Sequence, residues 1–311
     1  MSNNTSKDMQ DMGEDLPQDA GRRVWFVTGS SRGLGRALAT AALEAGDLVV
    51  ATARNPEVLT EPFAAYGDRV LPLALDVTDP AAARAAVDAA VARFGRIDVL
   101  VNNAGYANVS PIETSDDDDF RAQFETNFWG VYHVTRAALP TLRRQGAGTV
   151  VQFSSVGGRV GGSPGIASYQ AAKFAVDGFS RVLAVESAPF GVRVMVVEPS
   201  GFATDWAGSS MTVHPVPEAY EETVGAMNRL MRQNTAGAAG DPRRAAEIVV
   251  RTVQQGEVPG HLLLGVNAVD MALDHARAEQ AEASAWEKVS RSADFGEPYP
   301  VDLPTTEAVT G

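Results

Sequence analysis

The sequence predicts an α/β fold, a doubly wound parallel sheet of about seven strands with helices on both faces. Three observations carry this. Short apolar runs alternate with helical stretches from Arg23 to about Val289, the order that builds a parallel sheet covered on both sides. The runs are continuously rich in Val, Leu and Ala, as strands buried on both faces require. Segments bearing Gly, Asn and Ser follow several of these runs, at 29–35, 102–105, 154–155 and 199–204. In this architecture they share one edge, beyond the carboxyl ends of the strands, where ligands bind.

Met1 to Gly21 is polar and acidic and reads as a flexible tail. Val24–Val27 is the first strand, stopping at a Gly-rich turn. Gly35–Ala45 follows as a helix with Leu38, Ala42 and Ala45 on one face and Gly46 as its stop. Leu48–Ala53 and Val70–Leu75 are the next strands, the latter ending at Asp76. Pro80–Phe94 is a helix closed by Gly95, and Val99–Val101 a strand running into Asn102-Asn103-Ala104-Gly105. Ser115 is expected to cap one long helix from Asp116 through Asn127 to about Arg144. The run Asp116–Asp119 fits the positive helix N-terminus better than a metal site, since adjacent carboxylates do not converge on one ion. Thr149–Phe153 is a strand, Tyr169 to about Ala188 a helix and Val192–Val197 a strand. Pro242–Gln255 is helical, His261–Leu264 is the last strand, and Val269 to about Val289 closes the domain. The expected layout is one Rossmann-type domain over 22–295, a less regular, Met-bearing lobe within it at 206–240, and a Pro-rich tail at 296–311.

The chain has 311 residues with 26 Lys+Arg against 39 Asp+Glu, a net charge of −13, and no cysteine. Disulfides, thiolate catalysis and Cys-held metals are excluded. The acid excess argues against nucleic-acid or anionic-membrane partners. No apolar run approaches a membrane span, and Met1–Ala20 lacks the apolar stretch of a signal peptide, so the expected location is cytoplasmic. His133, His214, His261 and His275 show no metal-ligand spacing, and no G-x-S-x-G nucleophile elbow occurs. Only Lys7, Lys173 and Lys288 are lysines, so a mid-chain Lys invites the question whether its site needs a compact ammonium.

Thr28-Gly29-Ser30-Ser31-Arg32-Gly33-Leu34-Gly35 joins the first strand to the first helix. Its glycines let backbone approach a pyrophosphate, and the helix N-terminus supplies free N–H groups. An acidic residue after the second strand would hold a free ribose, whereas Arg54 stands there, with Arg32 in the turn, and two cations suit a 2′-phosphate. Solvated surface arginines are the alternative. Tyr169 and Lys173 stand at i and i+4 on one helix face. An ammonium ~4 Å from a phenol, at an effective dielectric of ~20, lowers its pKa by ~3 units, near neutrality, where a general acid/base works best. Ser154 and Ser155 follow the fifth strand, where a hydroxyl can donate to a carbonyl oxygen or merely shape a turn. Asn127, in a helix with Phe124, Phe128, Val131 and Val134, is either a core hydrogen-bonder or part of a water relay.

Together these motifs resemble the short-chain dehydrogenase/reductase family in its single-domain, Rossmann-type form, over about Val24 to Phe295. The resemblance rests on T-G-x-x-x-G-x-G at Thr28–Gly35, Asp76, N-N-A-G at Asn102–Gly105, a Ser ahead of Y-x-x-x-K at Tyr169–Lys173, and the proline turn at Pro199. It implies that Tyr169 exchanges a proton with the substrate oxygen, Ser155 hydrogen-bonds it, Lys173 tunes the phenol and holds the nicotinamide ribose, and Asn127 holds a water. It also implies that Gly29, Ser31, Arg32, Gly33, Leu34 and Gly35 cradle the nucleotide, with Arg54 at the 2′-phosphate. Asp76 and Val77 would meet adenine, Asn103, Ala104 and Gly105 the adenosine side, and Pro199, Gly201, Phe202 and Thr204 the nicotinamide. Ser155 is preferred to Ser154 because Ser155-Val156-Gly157-Gly158 matches the residues after the family's serine. Two departures stand out: Ser200 replaces the usual Gly after Pro199, and Ser155 to Tyr169 spans one residue more than is common, an excess that Gly157–Gly165 can absorb.

The resulting expectation is an NADP(H)-preferring, metal-free ketoreductase or alcohol dehydrogenase acting on a medium-sized lipophilic small molecule, working as a dimer or tetramer. Trp206, Met211, Val213, Val216, Tyr220, Met227, Leu230 and Met231 would form an apolar lid. An epimerase or dehydratase on the same fold, or a non-catalytic nucleotide sensor, are the alternatives.

Overall fold

The computed structural model describes residues 21–204, 211–236 and 240–304. The expectations for the tail at 1–20, for Trp206 and for 305–311 lie outside the described residues. The seven strands are β1 Val24–Val27, β2 Leu48–Ala53, β3 Val70–Ala74, β4 Val99–Asn102, β5 Gly148–Phe153, β6 Val192–Pro199 and β7 His261–Leu264. All pair in parallel, in the order β3-β2-β1-β4-β5-β6-β7. The order reverses between β1 and β4, where Val27 stands opposite Ala51 on one side and Val101 on the other. A cleft opens at such a reversal because the connections leave in opposite directions.

The helices are α1 Gly33–Glu44, α2 Thr60–Phe63, α3 Pro80–Phe94, α4 Asp117–Phe124, α5 Gly130–Gln145, α6 Gly157–Val160, α7 Ala167–Ser187, α8 Ala226–Ala236, α9 Pro242–Gln254 and α10 Val266–Arg291. Strand side chains alternate between two cores. Trp25 and Val27 point to a core shared with Leu38 and Leu43 of α1 and Val249 and Val253 of α9. Val24 and Phe26 point to the other, shared with Val87 of α3, Val134 and Leu142 of α5 and Leu183 of α7. Trp25 satisfies its indole N–H on Asp47 Oδ2 at 2.9 Å, so its full burial leaves no polar group unpaired.

Several details differ from the sequence reading. Asp116, not Ser115, caps α4, accepting from the Asp119 N–H at 2.9 Å. Ser115 instead donates to the Pro111 and Ile112 carbonyls. The long helix expected from Asp116 to Arg144 is interrupted by a π-helical turn at Glu125–Trp129. Asn127 lies in it, and its Nδ2 takes the Gln123 carbonyl at 2.8 Å, the one an uninterrupted α-helix pairs with the Asn127 backbone N–H. Helices α1, α7 and α10 begin two or three residues before their expected starts, while β3 ends one residue early, at Ala74. Short helical turns over 56–69 and α6 add to what the sequence suggests.

Candidate active site

A cleft of about 1080 Å³ runs along the carboxyl ends of the strands. Gly29, Ser31, Arg32, Gly33, Leu34, Arg54, Asp76 and Val77 line one end, Asn103, Ala104, Gly105, Ser155, Tyr169 and Lys173 the middle, and Pro199, Gly201, Phe202 and Thr204 the far wall. Two sequence candidates do not line it. Gly35 sits behind the turn, and Asn127, wholly buried, sits behind Gly105.

The glycine turn is built for close approach. Gly29 and Gly33 hold φ of 68° and 57°, the left-handed region that side chains disfavour. A Cβ on Gly35 would overlap the Gly29 carbonyl and the Asn103 side chain. Asn103 donates from Nδ2 to the Thr28 and Gly29 carbonyls at 3.0 and 3.2 Å, and its own N–H donates to Thr28 Oγ1 at 2.9 Å. The β4 loop therefore clamps the turn. No side-chain hydrogen bond from Arg32 caps α1, and Arg32, Gly33 and Leu34 at its start line the cleft, where a helix N-terminus suits a diphosphate. Arg32 and Arg54 are both exposed at that end. These residues fit a nicotinamide dinucleotide. Asp76, exposed in the cleft, accepts from the Thr78 N–H at 3.0 Å and from its hydroxyl at 2.7 Å.

Helix α7 carries Tyr169 and Lys173 into the middle of the cleft, both nearly fully buried. Ser155 hydrogen-bonds the phenol, and its Oγ accepts from the Gly157 N–H at 3.1 Å. Ser154, by contrast, donates to the Lys173 carbonyl at 3.0 Å and is buried. Lys173 Nζ lies 5.7 Å from the Tyr169 ring centre and donates to the Phe153 carbonyl at 2.7 Å. The expectation of a phenol tuned to neutrality fails here. Burial pushes Tyr169 up to about 12, with the Ser155 hydrogen bond only partly opposing it. Burial likewise brings Lys173 down to about 8. Removing water penalises both charged forms before they can help each other.

Asn127 has a fixed place. Its Nδ2 donates to the Tyr106 and Gln123 carbonyls, both at 2.8 Å, and its Oδ1 accepts from the Tyr106 N–H at 3.1 Å. A Cβ on Gly105 would lie 2.5 Å from Asn127 Oδ1 and 3.5 Å from Lys173 Nζ, so the amide, this backbone and the ammonium converge. The extra residue between Ser155 and Tyr169 falls in a stretch whose Gly161, Gly162 and Gly165 all hold positive φ. Ser200 donates from its N–H to the Leu264 carbonyl at 3.0 Å, tying the proline turn to β7.

The lid candidates Met211, Val213, Val216, Tyr220 and Met231 pack on Ala107, Val109, Ile166, Tyr169 and Val224. Leu230 is exposed. Tyr106, Gln170, Ser163 and Met271 also line the cleft and were not singled out in the sequence. For Tyr106 and Gln170 the signal was adjacency to Gly105 and Tyr169. Burial, ahead of the Asp119 charge, pushes the Tyr106 phenol up.

Away from the cleft, Asp177, Glu198 and His261 meet within 4.8 Å, a grouping that sequence spacing does not reveal. His261 Nε2 lies 2.6 Å from Asp177 Oδ1, and Arg181 and Arg159 hold Asp177 and Glu198 at 2.9 Å each. Burial alone would raise Asp177, but the His261 and Arg181 hydrogen bonds outweigh it and hold the carboxyl below its usual range. Two guanidiniums already balance the two acids.

A family model described as short chain dehydrogenase matches residues 23–213. The chain belongs to the short-chain dehydrogenase family. Its members are oxidoreductases that act on small molecules with a nicotinamide nucleotide, and this short-chain dehydrogenase has the Rossmann-type sheet of its relatives. It is 49% identical over 269 residues to "Oxidoreductase BOA17" of Botryotinia fuckeliana, covering 86% of this chain and 98% of that one. It superposes with a TM-score of 0.82 and 41% identity on a short-chain dehydrogenase from Streptomyces avermitilis, covering 88% and 99% of the two chains. A 3-ketoacyl-(acyl-carrier-protein) reductase from Brucella melitensis, complexed with NADH, matches with a TM-score of 0.67 and 26% identity over 78% and 96%. Among the described residues of this short-chain dehydrogenase, no helix is long and apolar enough to cross a membrane.

Proposed function

We propose that the protein is an NADPH-dependent reductase of a carbonyl group on a medium-sized lipophilic molecule, or the reverse alcohol dehydrogenase, with one catalytic domain over 22–295. The observation that carries this is the buried Ser155–Tyr169–Lys173 group in mid-cleft. The nucleotide, when bound, supplies or accepts the hydride at its nicotinamide carbon. The chain handles the proton and the oxygen. Tyr169, whose protonated form burial favours further, is ready to donate to an oxygen gaining charge, and Ser155 donates to the same oxygen. Lys173 Nζ stands 5.7 Å from the phenol ring centre and close to Gly105, where its charge favours a developing phenolate. Asn127 holds that backbone in place and is a positioning residue.

Arg32 and Arg54 support NADPH over NADH. A 2′-phosphate carries nearly two charges, and each charge-assisted hydrogen bond contributes ~1.5–3 kcal/mol. Two give NADPH an advantage of roughly 10²–10⁴ in kcat/KM. The Brucella melitensis reductase carries NADH, so the choice rests on this chain's own arginines. The apolar lid over Tyr169 supports a lipophilic substrate. An outward stripe of Phe174, Val182 and Val185 on α7 supports a homodimer or higher oligomer.

The test is stopped-flow oxidation of NADPH on mixing with ketones, in wild type and Tyr169→Phe. The variant keeps fold and nucleotide affinity and loses ~10²–10⁴ in kcat; retention of more than about a tenth of the rate refutes the role of Tyr169. For the nucleotide, Arg54→Asp is expected to abolish or invert the preference, mostly through KM. Wild-type preference for NADH, or an indifferent variant, refutes the assignment.

A further inference from the structure

Gln170 follows Tyr169 on α7, is more than nine-tenths buried and lines the cleft. The Ser163 backbone N–H donates to its Oε1 at 3.2 Å. That bond decides which end of the amide is oxygen, since an N–H cannot donate to an NH2 group. The other end, Nε2, is buried and has no hydrogen-bond partner. Buried polar groups are nearly always paired, so an unpaired donor in a ligand cleft marks a missing acceptor.

The place of Nε2 narrows that acceptor. A Cβ built on Gly157 would lie 3.0 Å from Gln170 Nε2 and 3.5 Å from Ser155 Oγ. Both donors therefore lie beside the Gly157 backbone, which lines the cleft. Ser155 already has the Gly157 N–H and the Tyr169 phenol as neighbours, whereas Nε2 has no hydrogen-bond partner. Resting on the carbonyl-reductase reading above, we infer that Gln170 recognises a second oxygen of the substrate, beside the carbonyl held by Ser155 and Tyr169. The class this fits is a 1,3-dicarbonyl compound, such as a 3-keto ester. Its two oxygens can face the same wall a few ångströms apart, whereas those of a 1,2-dicarbonyl turn to opposite sides. Gln170 is thus a specificity-determining residue, and it leaves the proton and hydride steps to others.

The test compares kcat/KM with NADPH for ethyl 3-oxohexanoate and for nonan-4-one, which has the same chain length and ketone position. The ester makes its ketone intrinsically more reactive, so the readout is the ratio of the two values in variants relative to wild type. Gln170→Glu keeps the shape and the acceptor for Ser163 while replacing the free donor with an oxygen. Gln170→Met removes all polarity at similar length. The ratio of keto ester to plain ketone falls roughly tenfold in both, the scale of one hydrogen bond in a closed site. An unchanged ratio in either folded variant overturns the inference, as does a parallel fall for both substrates, which marks a packing role. If the wild type binds NADPH yet reduces neither compound, the carbonyl-reductase reading itself fails and takes this inference with it.

Discussion

Lys173 shows how one residue trades stability for chemistry. Its ammonium faces the Phe153 carbonyl, and burial lowers it from 10.5 to about 8. Below pH 8 the group is charged in both folded and unfolded chains, and the folded state bears the full desolvation penalty. Between pH 8 and 10.5 the unfolded chain holds a proton that the folded one has released, so stability rises with pH. Lys173→Met is therefore expected to stabilise the fold at pH 7 by up to about 3 kcal/mol, less whatever the Phe153 carbonyl loses. The gain shrinks toward pH 10.5, and activity is lost throughout. Urea midpoints at pH 7 and pH 10 for both proteins check this; a variant weaker than wild type at pH 7 contradicts it. Tyr169 acts in the opposite sense above pH 10, where the unfolded phenol ionises first and stability falls. Lys173→Arg keeps a charge but is expected to lower kcat severely, because a planar guanidinium cannot take the place of a compact ammonium; near-normal turnover by steady-state assay contradicts it.

At the scale of elements, strands and most helices were legible because burial on both faces leaves uninterrupted apolar runs, as in Val24–Val27 and Val99–Val101. The Tyr169–Lys173 pairing was legible because helical spacing alone places both on one face. What spacing does not encode is the environment. The π turn at Glu125–Trp129 depends on Asn127 reaching the Tyr106 backbone, a contact across the fold. The shift of the Tyr169 phenol depends on burial by residues distant in sequence, Val109 and Val224 among the side chains clustered with it. The significance of Gln170 depends on a partner it lacks. Ser115 and Asp116 both suit a cap, and only the backbone path chose between them.

The proposed lid has its own weak point. Segment 211–214 lies along Ala107–Val109, with the Val109 N–H on the Thr212 carbonyl at 2.8 Å, the His214 N–H on the Val109 carbonyl at 2.9 Å and the Thr212 N–H on Asn108 Oδ1 at 3.0 Å. His214→Pro removes one of these donors. The expected result is a substrate KM raised roughly 3–10-fold with nucleotide KM little changed, read from initial rates varying each in turn. Equal rises in both would show that this stitch supports the whole cleft.

For the molecule as a whole, the strand order brings one end of the cleft, where we propose the nucleotide lies, from β1, β2 and β4 and the end we propose handles the proton from β5 and α7, so neither half of the chain builds the cleft alone. The outer face of α7 raises the question of assembly. Phe174, Val182 and Val185 are 45%, 58% and 76% exposed there, and apolar side chains in such a row ordinarily seek cover. Val182→Glu together with Val185→Glu is expected to convert an oligomer into a monomer by sedimentation velocity, and a wild-type monomer refutes the pairing.

The same helix holds Tyr169 and Lys173 on its inner side. If its outer stripe is covered by another subunit, dilution becomes a perturbation of the active site. Specific activity then depends on how much enzyme is in the cuvette, with a lag after dilution set by how slowly the subunits part.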